Sequence, residues 1–223
     1  MVVRLPAVCS ASMARAWRWV GERALQRTFP DDLPAANASA FAAYHHLTER
    51  RLPEIEDLVP GARTLLIVLK PGREPSEVLL YSLEGTSIPI HRADARVHEI
   101  PVRYGGDEGP DLAEVARLHG MTEDEVVRRH SEAPYVVGFT GFSPGFPYLF
   151  GMAPVLATPR LATPRTRIPK GSVGVGGPYT GIYPQATAGG WRLIGRTDLE
   201  LFDAERDPPA LLLPGAAVRF VPT

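Results

Sequence analysis

The chain has 223 residues, 44% of them hydrophobic, which is enough for one or two domains with a sizeable core. Its formal net charge of -1 gives no electrostatic reason to expect nucleic acid or an anionic membrane surface as a partner. The single Cys9 excludes an intramolecular disulfide, no Cys/His spacing resembles a metal site, and no run of about 18 apolar residues is present to span a membrane; a reducing cytoplasm fits.

Residues 1–12 read as a loose N-terminal extension. Leu5-Pro-Ala-Val-Cys9 has a faint likeness to a lipoprotein cleavage box, but Arg4 and Pro6 interrupt any apolar run. Residues 16–20 and 24–29 read as strands around a Gly21-Glu22 turn, and Asn37 as the N-cap of a helix that carries Phe41, Tyr44 and Leu52 and ends at Pro53. His45 and His46 are neighbours, so on a helix they point about 100° apart and cannot chelate one ion together. Residues 64–69 form a buried strand, and 75–83 a second helix with Pro75 in its first turn. Between 84 and 96 the pattern lapses into Gly, Thr, Ser, Pro and charges, which places a domain boundary there. The expected fold class is α+β: a small α/β domain over residues 1–94, then a β-rich domain over 95–223.

In the second part, 97–103 is a strand, and two capping-box patterns follow, Asp111 with Glu114 and Thr122 with Glu125, separated by Gly120. The pair resembles a helix-turn-helix. However, six acidic side chains against three arginines over 111–132 would repel phosphates, so it reads as an ordinary packed pair. Residues 138–151 hold four Gly and two Pro, which would cost a helix roughly 10 kcal/mol. The segment after Phe142 therefore reads as a rigid loop that leaves its sheet and displays Phe139, Phe142, Phe146 and Tyr148 over a barrel end or a pocket. Gly141-Phe-Ser-Pro-Gly145 matches the G-x-S-x-G elbow of serine hydrolases, but the residue that should supply an oxyanion-hole N–H is Pro144, which has none.

From Pro134 onward, thirteen Gly and thirteen Pro separate short apolar runs, including 191–194, 210–213 and 218–221. This is the texture of an all-β barrel or sandwich. Gly171-Ser-Val-Gly-Val-Gly-Gly177 lacks the G-K-[ST] of a P-loop and reads as a strand and turn.

Taken together, Glu99-Ile-Pro-Val-Arg-Tyr-Gly-Gly106, Gly109-Pro-Asp-Leu112, His130-Ser131, Gly141-Phe-Ser-Pro-Gly-Phe-Pro-Tyr-Leu149, Gly171-Ser-Val-Gly174, Thr180-Gly-Ile-Tyr-Pro184, Gly189-Gly-Trp191 and Ile194-Gly-Arg-Thr197 resemble the family of the B component of bacterial 5-oxoprolinase. That family also takes in allophanate hydrolase subunit 1 and an inhibitor of a sporulation histidine kinase. The likeness is dense over 97–221 and thinner before it.

It implies a cyclophilin-like barrel after the small domain, and a carboxyltransferase-like second subunit encoded nearby. A third subunit of a lactam-utilisation type completes the enzyme it implies. The implied reaction is ATP-dependent opening of 5-oxoproline to glutamate, with Mg-ATP bound by the complex and no metal site in this chain. Such chemistry asks for cations and N–H groups aimed at developing charge. His130, Arg165 and Arg196 are the candidate catalytic groups. Phe142, Phe146, Tyr148, Arg160, Lys170, Gly174, Gly176, Gly177, Tyr179, Thr180 and Trp191 are the candidate substrate- or nucleotide-binding groups. Lys170, Tyr179, Ala188 and Asp198 depart from the family pattern. A regulatory protein that inhibits a sensor histidine kinase is the alternative reading, and a prolyl isomerase a remote one.

Overall fold

The structure, a computed structural model, describes residues 17–29, 32–84 and 97–223. The expectations for residues 1–12 and for the boundary at 94/95 lie outside the described residues.

The first unit is a four-stranded antiparallel sheet, β1 (Trp17–Val20), β2 (Ala24–Thr28), β3 (Ile55–Pro60) and β4 (Thr64–Leu69), in the order β1-β2-β4-β3. It is covered by α1 (Leu33–Arg50) and accompanied by α2 (Glu77–Glu84). β4 reads Thr-Leu-Leu-Ile-Val-Leu, and its alternate residues Leu65, Ile67 and Leu69 are fully buried. α1 answers with Ala36, Ala40, Ala43 and Leu47, a stripe at helical spacing whose small side chains let the helix lie close to the sheet. Asp32 caps α1 by accepting from the Ala35 N–H at 3.3 Å, so the helix starts before the expected Asn37. Asn37 instead faces inward: its Nδ2 donates to the carbonyls of Gly61 (3.3 Å) and Gly138 (3.0 Å), tying α1 to the second unit.

That unit is a closed barrel. Its strands are β5 (Val97–Tyr104), β6 (Tyr135–Thr140), β7 (Pro147–Phe150), β9 (Ser172–Gly176), β10 (Tyr179–Ile182), β12 (Arg192–Arg196) and β13 (Ala217–Pro222). They run round the wall in the order β10-β7-β6-β13-β5-β12-β9, and β9 pairs with β10 to close it. All neighbours are antiparallel except β5 and β13. The interior is filled by one residue in two from each strand, among them Ile100, Val102, Val137, Leu149, Val173, Val175, Ile182, Ile194 and Phe220. α3 (Leu112–Leu118) and α4 (Glu123–Glu132) add Leu112, Val115, Ala116 and Val126 to the same core. The remaining two strands, β8 (Arg165–Ile168) and β11 (Thr187–Gly189), form a separate small sheet. Among the described residues no helix is long and apolar enough to cross a membrane.

Three further expectations are corrected. The chain does not leave the sheet for good after Phe142: residues 141–146 make a loop, and Pro147 opens strand β7, a position where its missing N–H costs no ladder bond. Asp111 makes no side-chain cap, because its carboxylate is used elsewhere. Residues 210–213 contribute one isolated bridge, Ala210 to Phe202, rather than a strand.

Candidate functional site

Strand alternation sends Tyr148 and Tyr179 to the outside of the barrel while Leu149 and Thr180 point in. On that outer wall an aromatic layer forms. Phe146 meets Tyr148 (5.1 Å between centroids), Tyr183 (5.1 Å) and Trp191 (5.4 Å) edge to face, and Phe139 stacks on Tyr148 at 4.2 Å. Such pairs contribute about 0.5–1.5 kcal/mol each beyond their buried area, so the layer is rigid. Ile168 of β8 lies against it, so the small sheet packs over the layer. The glycines of this wall are its floor: a Cβ on Gly176 would sit 2.6 Å from the Trp191 indole, and one on Gly181 3.1 Å from the Phe146 ring.

That geometry decides several expected roles. Gly174 is paired with Gly181 on one side and Leu193 on the other, Gly176 is paired with Tyr179, and the Gly177 N–H donates to the Thr158 carbonyl at 2.7 Å. Gly174 and Gly176 sit in barrel ladders under Trp191 and Gly177 in an isolated bridge to Thr158, so these backbone groups are used in pairing rather than held open for a ligand. Trp191 is itself only 4% exposed and offers no open face for stacking a base.

The rim of the layer is more open. Phe142 is 61% exposed and touches Phe146 and Tyr183 edge to face. Its φ of 69° and the Ser143 N–H to Gly141 carbonyl bond of 2.8 Å make it the centre of a tight γ-turn, a strained conformation for a side chain of this size. The Arg160 guanidinium lies 5.9 Å from the centre of the Trp191 ring. Arg160 also acts electrostatically on the hydroxyls of Tyr148 and Tyr183, and Arg165 on that of Tyr183; both cations oppose the upward push of burial, which takes Tyr183 to about 12. Arg165 donates through Nη2 to Asp111 Oδ1 at 2.6 Å, while Asp111 Oδ2 accepts from the Leu193 N–H at 2.7 Å. Arg165 Nη1 is buried without a hydrogen-bond partner. A neighbouring pair, Arg192 with Glu114, is closed on itself.

His130 lies on the other side of the wall. It is 0% exposed, in the barrel core against Phe220 and Tyr135, so it cannot meet a ligand on the outer face. Its protonation follows from its neighbours. The Thr180 hydroxyl donates to the Gly174 carbonyl (3.0 Å) and so accepts from His130 Nε2–H (2.9 Å), leaving Nδ1 to accept from the Tyr104 hydroxyl (2.8 Å). Burial drives this imidazole down to about 3, so it is neutral and structural. Thr180 is the second member of that interior pair rather than a surface contact.

Lys170 and Arg196 also lie away from the rings, in a surface network. Lys170 pairs with Glu200 at 2.7 Å, Arg196 with Glu108 at 3.5 Å, and Arg103 forks onto Asp198 at 2.7 and 3.0 Å. Two departures from the family pattern, Lys170 and Asp198, are thus each matched by an opposite charge. A third, Tyr179, packs edge-on to Tyr148 and Phe150.

Sequence reasoning missed Tyr183 and the Asp111–Arg165 pair. The Tyr183-Pro184 motif was visible, but which face of the wall it occupied was not. A cleft of about 260 Å³ beside α1 and β3, lined by Tyr44, Leu52 and Ile55 among others, shares no residue with this face. The aromatic face is the better candidate because it collects rigid rings and a cation that has no carboxylate partner among the described residues.

These features define a class: an α+β protein built round a closed barrel, with an aromatic face on the barrel's outer wall. The chain belongs to the family described as carboxyltransferase domain, subdomain C and D, whose model matches residues 15–212. It is 49% identical over 176 residues to the B component of 5-oxoprolinase from Escherichia coli O157:H7, covering 77% of this chain and 79% of that protein. It is 36% identical over 220 residues to the B component of 5-oxoprolinase from Bacillus subtilis, covering 91% and 90%. The crystal structure of TTHA0988 superposes with a TM-score of 0.79 at 39% identity over 90% of this chain, which spans only 40% of that longer chain.

Proposed function

We propose that this chain is the subunit of a heteromeric 5-oxoprolinase that carries part of the substrate face, opening the lactam of 5-oxoproline to glutamate at the expense of ATP. The observation that carries the reading is the 49% identity, over most of both chains, to a protein named as the B component of 5-oxoprolinase.

The site is in keeping with a subunit that does not act alone. An unstrained lactam is a poor electrophile, and phosphorylating its oxygen turns that oxygen into a leaving group. Phosphoryl transfer needs N–H groups and cations around the phosphates. The glycine amides of residues 174–177 are engaged in backbone pairing, and nucleotide handling is therefore assigned to partner subunits. What this chain offers is a rigid aromatic wall with Arg160 at its edge. The greater length of TTHA0988 is consistent with a unit that works joined to another polypeptide. No feature of the described residues favours the kinase-inhibitor or prolyl-isomerase reading.

The test is to express the chain alone and together with the products of neighbouring genes, then measure phosphate release dependent on 5-oxoproline. Turnover is expected only for the complex. Robust turnover by the isolated chain, or a stable complex inert toward 5-oxoproline, overturns the reading.

A further inference from the structure

Around the aromatic wall, each carboxylate within reach is already matched: Asp111 holds Arg165, and Glu114 holds Arg192. Arg160 is left over. It is exposed, lies against the Trp191 ring, and has no anionic partner among the described residues. Arg165 is only half used, since Nη1 is buried without a partner while Nη2 serves Asp111. An unpaired buried donor of this kind costs a fold free energy unless some state of the protein satisfies it. Phe142 borders the same surface, held outward by its γ-turn.

We propose that Arg160, backed by Arg165, is the carboxylate subsite of this face, so that a small ring bearing a carboxylate lies with its ring against Phe142 and Tyr148 and its carboxylate on the Arg160 guanidinium. The inference rests on the proposed function for its choice of substrate, and adds which group of the substrate this chain recognises and with which residues. A guanidinium suits the task because its planar fork matches both oxygens of a carboxylate. A cation–π contact with Trp191, at 5.9 Å from the ring centre, helps to hold that fork in place before the ligand arrives, which lowers the ordering cost of binding. The buried Arg165 Nη1 donor is satisfied when its partly exposed side chain turns toward the bound anion. A neutral ring of the same shape forfeits both contacts.

Calorimetry on the full chain with 5-oxoproline, with 2-pyrrolidinone (the same lactam ring without its carboxylate) and with inorganic phosphate tests the subsite. The acid is expected to bind about tenfold or more tightly than the neutral lactam. Arg160→Gln should abolish that preference, and Arg160→Lys should restore only part of it. Arg160 is on the surface, so an unchanged Tm verifies that each variant is folded. In the reconstituted complex, R160Q should raise KM for 5-oxoproline about tenfold with kcat little changed, the signature of a binding rather than a chemical contact. Equal binding of the two lactams, or a KM unmoved by R160Q, overturns the subsite while leaving the proposed function intact. Tighter binding of phosphate than of 5-oxoproline, lost in R160Q, overturns it in favour of a phosphate site. If the complex turns over no 5-oxoproline, the proposed function falls, and the calorimetric preference for the carboxylate decides the subsite by itself.

Discussion

His130 couples the stability of the barrel to pH. Its imidazole is held neutral, at about 3 against an ordinary 6.5, because burial penalises the charged form and no anion faces it. In the unfolded chain the ring takes up its proton near pH 6.5, and in the folded chain only near 3, so between those values the unfolded state binds more protons. Stability from this residue is therefore full above about pH 6.5 and lost as pH falls toward about 3, at up to about 1.4 kcal/mol per pH unit. His130→Gln should lower stability by about 2 kcal/mol at pH 8, by disturbing the bonds to Tyr104 and Thr180, and should flatten the acid limb. Denaturant melts between pH 4 and 8 check both; an acid limb as steep in the variant as in the parent would assign the sensitivity to other groups.

At the scale of elements, β9 is defined by what it lacks. Gly174 and Gly176 leave room for Trp191 to lie flat on the wall, and the indole in turn carries Phe146, Tyr148 and Arg160. Gly176→Ala places a methyl group 2.6 Å from the indole, so the ring must lift. The expected cost is about 1–3 kcal/mol, with altered tryptophan near-UV dichroism, and the carboxylate subsite should weaken although no residue of it is changed. A variant with native dichroism and stability would show the packing to be looser than described.

The same strand illustrates what local pattern can and cannot convey. Its character as strand and turn was legible, because alternating Val and Gly bounded by turn residues admits little else. Its purpose was not, since a glycine that admits an indole and one that admits a phosphate look alike until the partner 15 residues away is in place. Asp111 failed for a similar reason: Asp followed three residues later by Glu is a capping signal, yet Arg165 and the Leu193 N–H, distant in sequence, hold its carboxylate away from the helix. β8 and β11 went unseen because a strand of three or four residues, paired with only one other, carries hardly any periodicity. His130 stood in a recognisable motif, but only the closed barrel reveals that it points into the core.

For the whole molecule, the parallel pair of β5 and β13 governs how the barrel can come into being. Ala217 aligns with Val97, about 120 residues earlier, and β13 lies between β5 and β6, so both of those strands present a bare edge until it arrives. Ending the chain after Ala216 should therefore cost the whole barrel and not a single strand, read as loss of cooperative unfolding; a sharp thermal transition in the truncated chain would contradict this. On the ribosome, at roughly 5–20 residues per second, the emerging polypeptide waits several seconds or more between making β5 and making its neighbour. The aromatic wall, built on strands of that unfinished ring, cannot take its final shape before β13 has joined. Whatever recognises that wall can therefore do so only after β13 has emerged, and the interval before it is when the two bare edges are most open to mispairing.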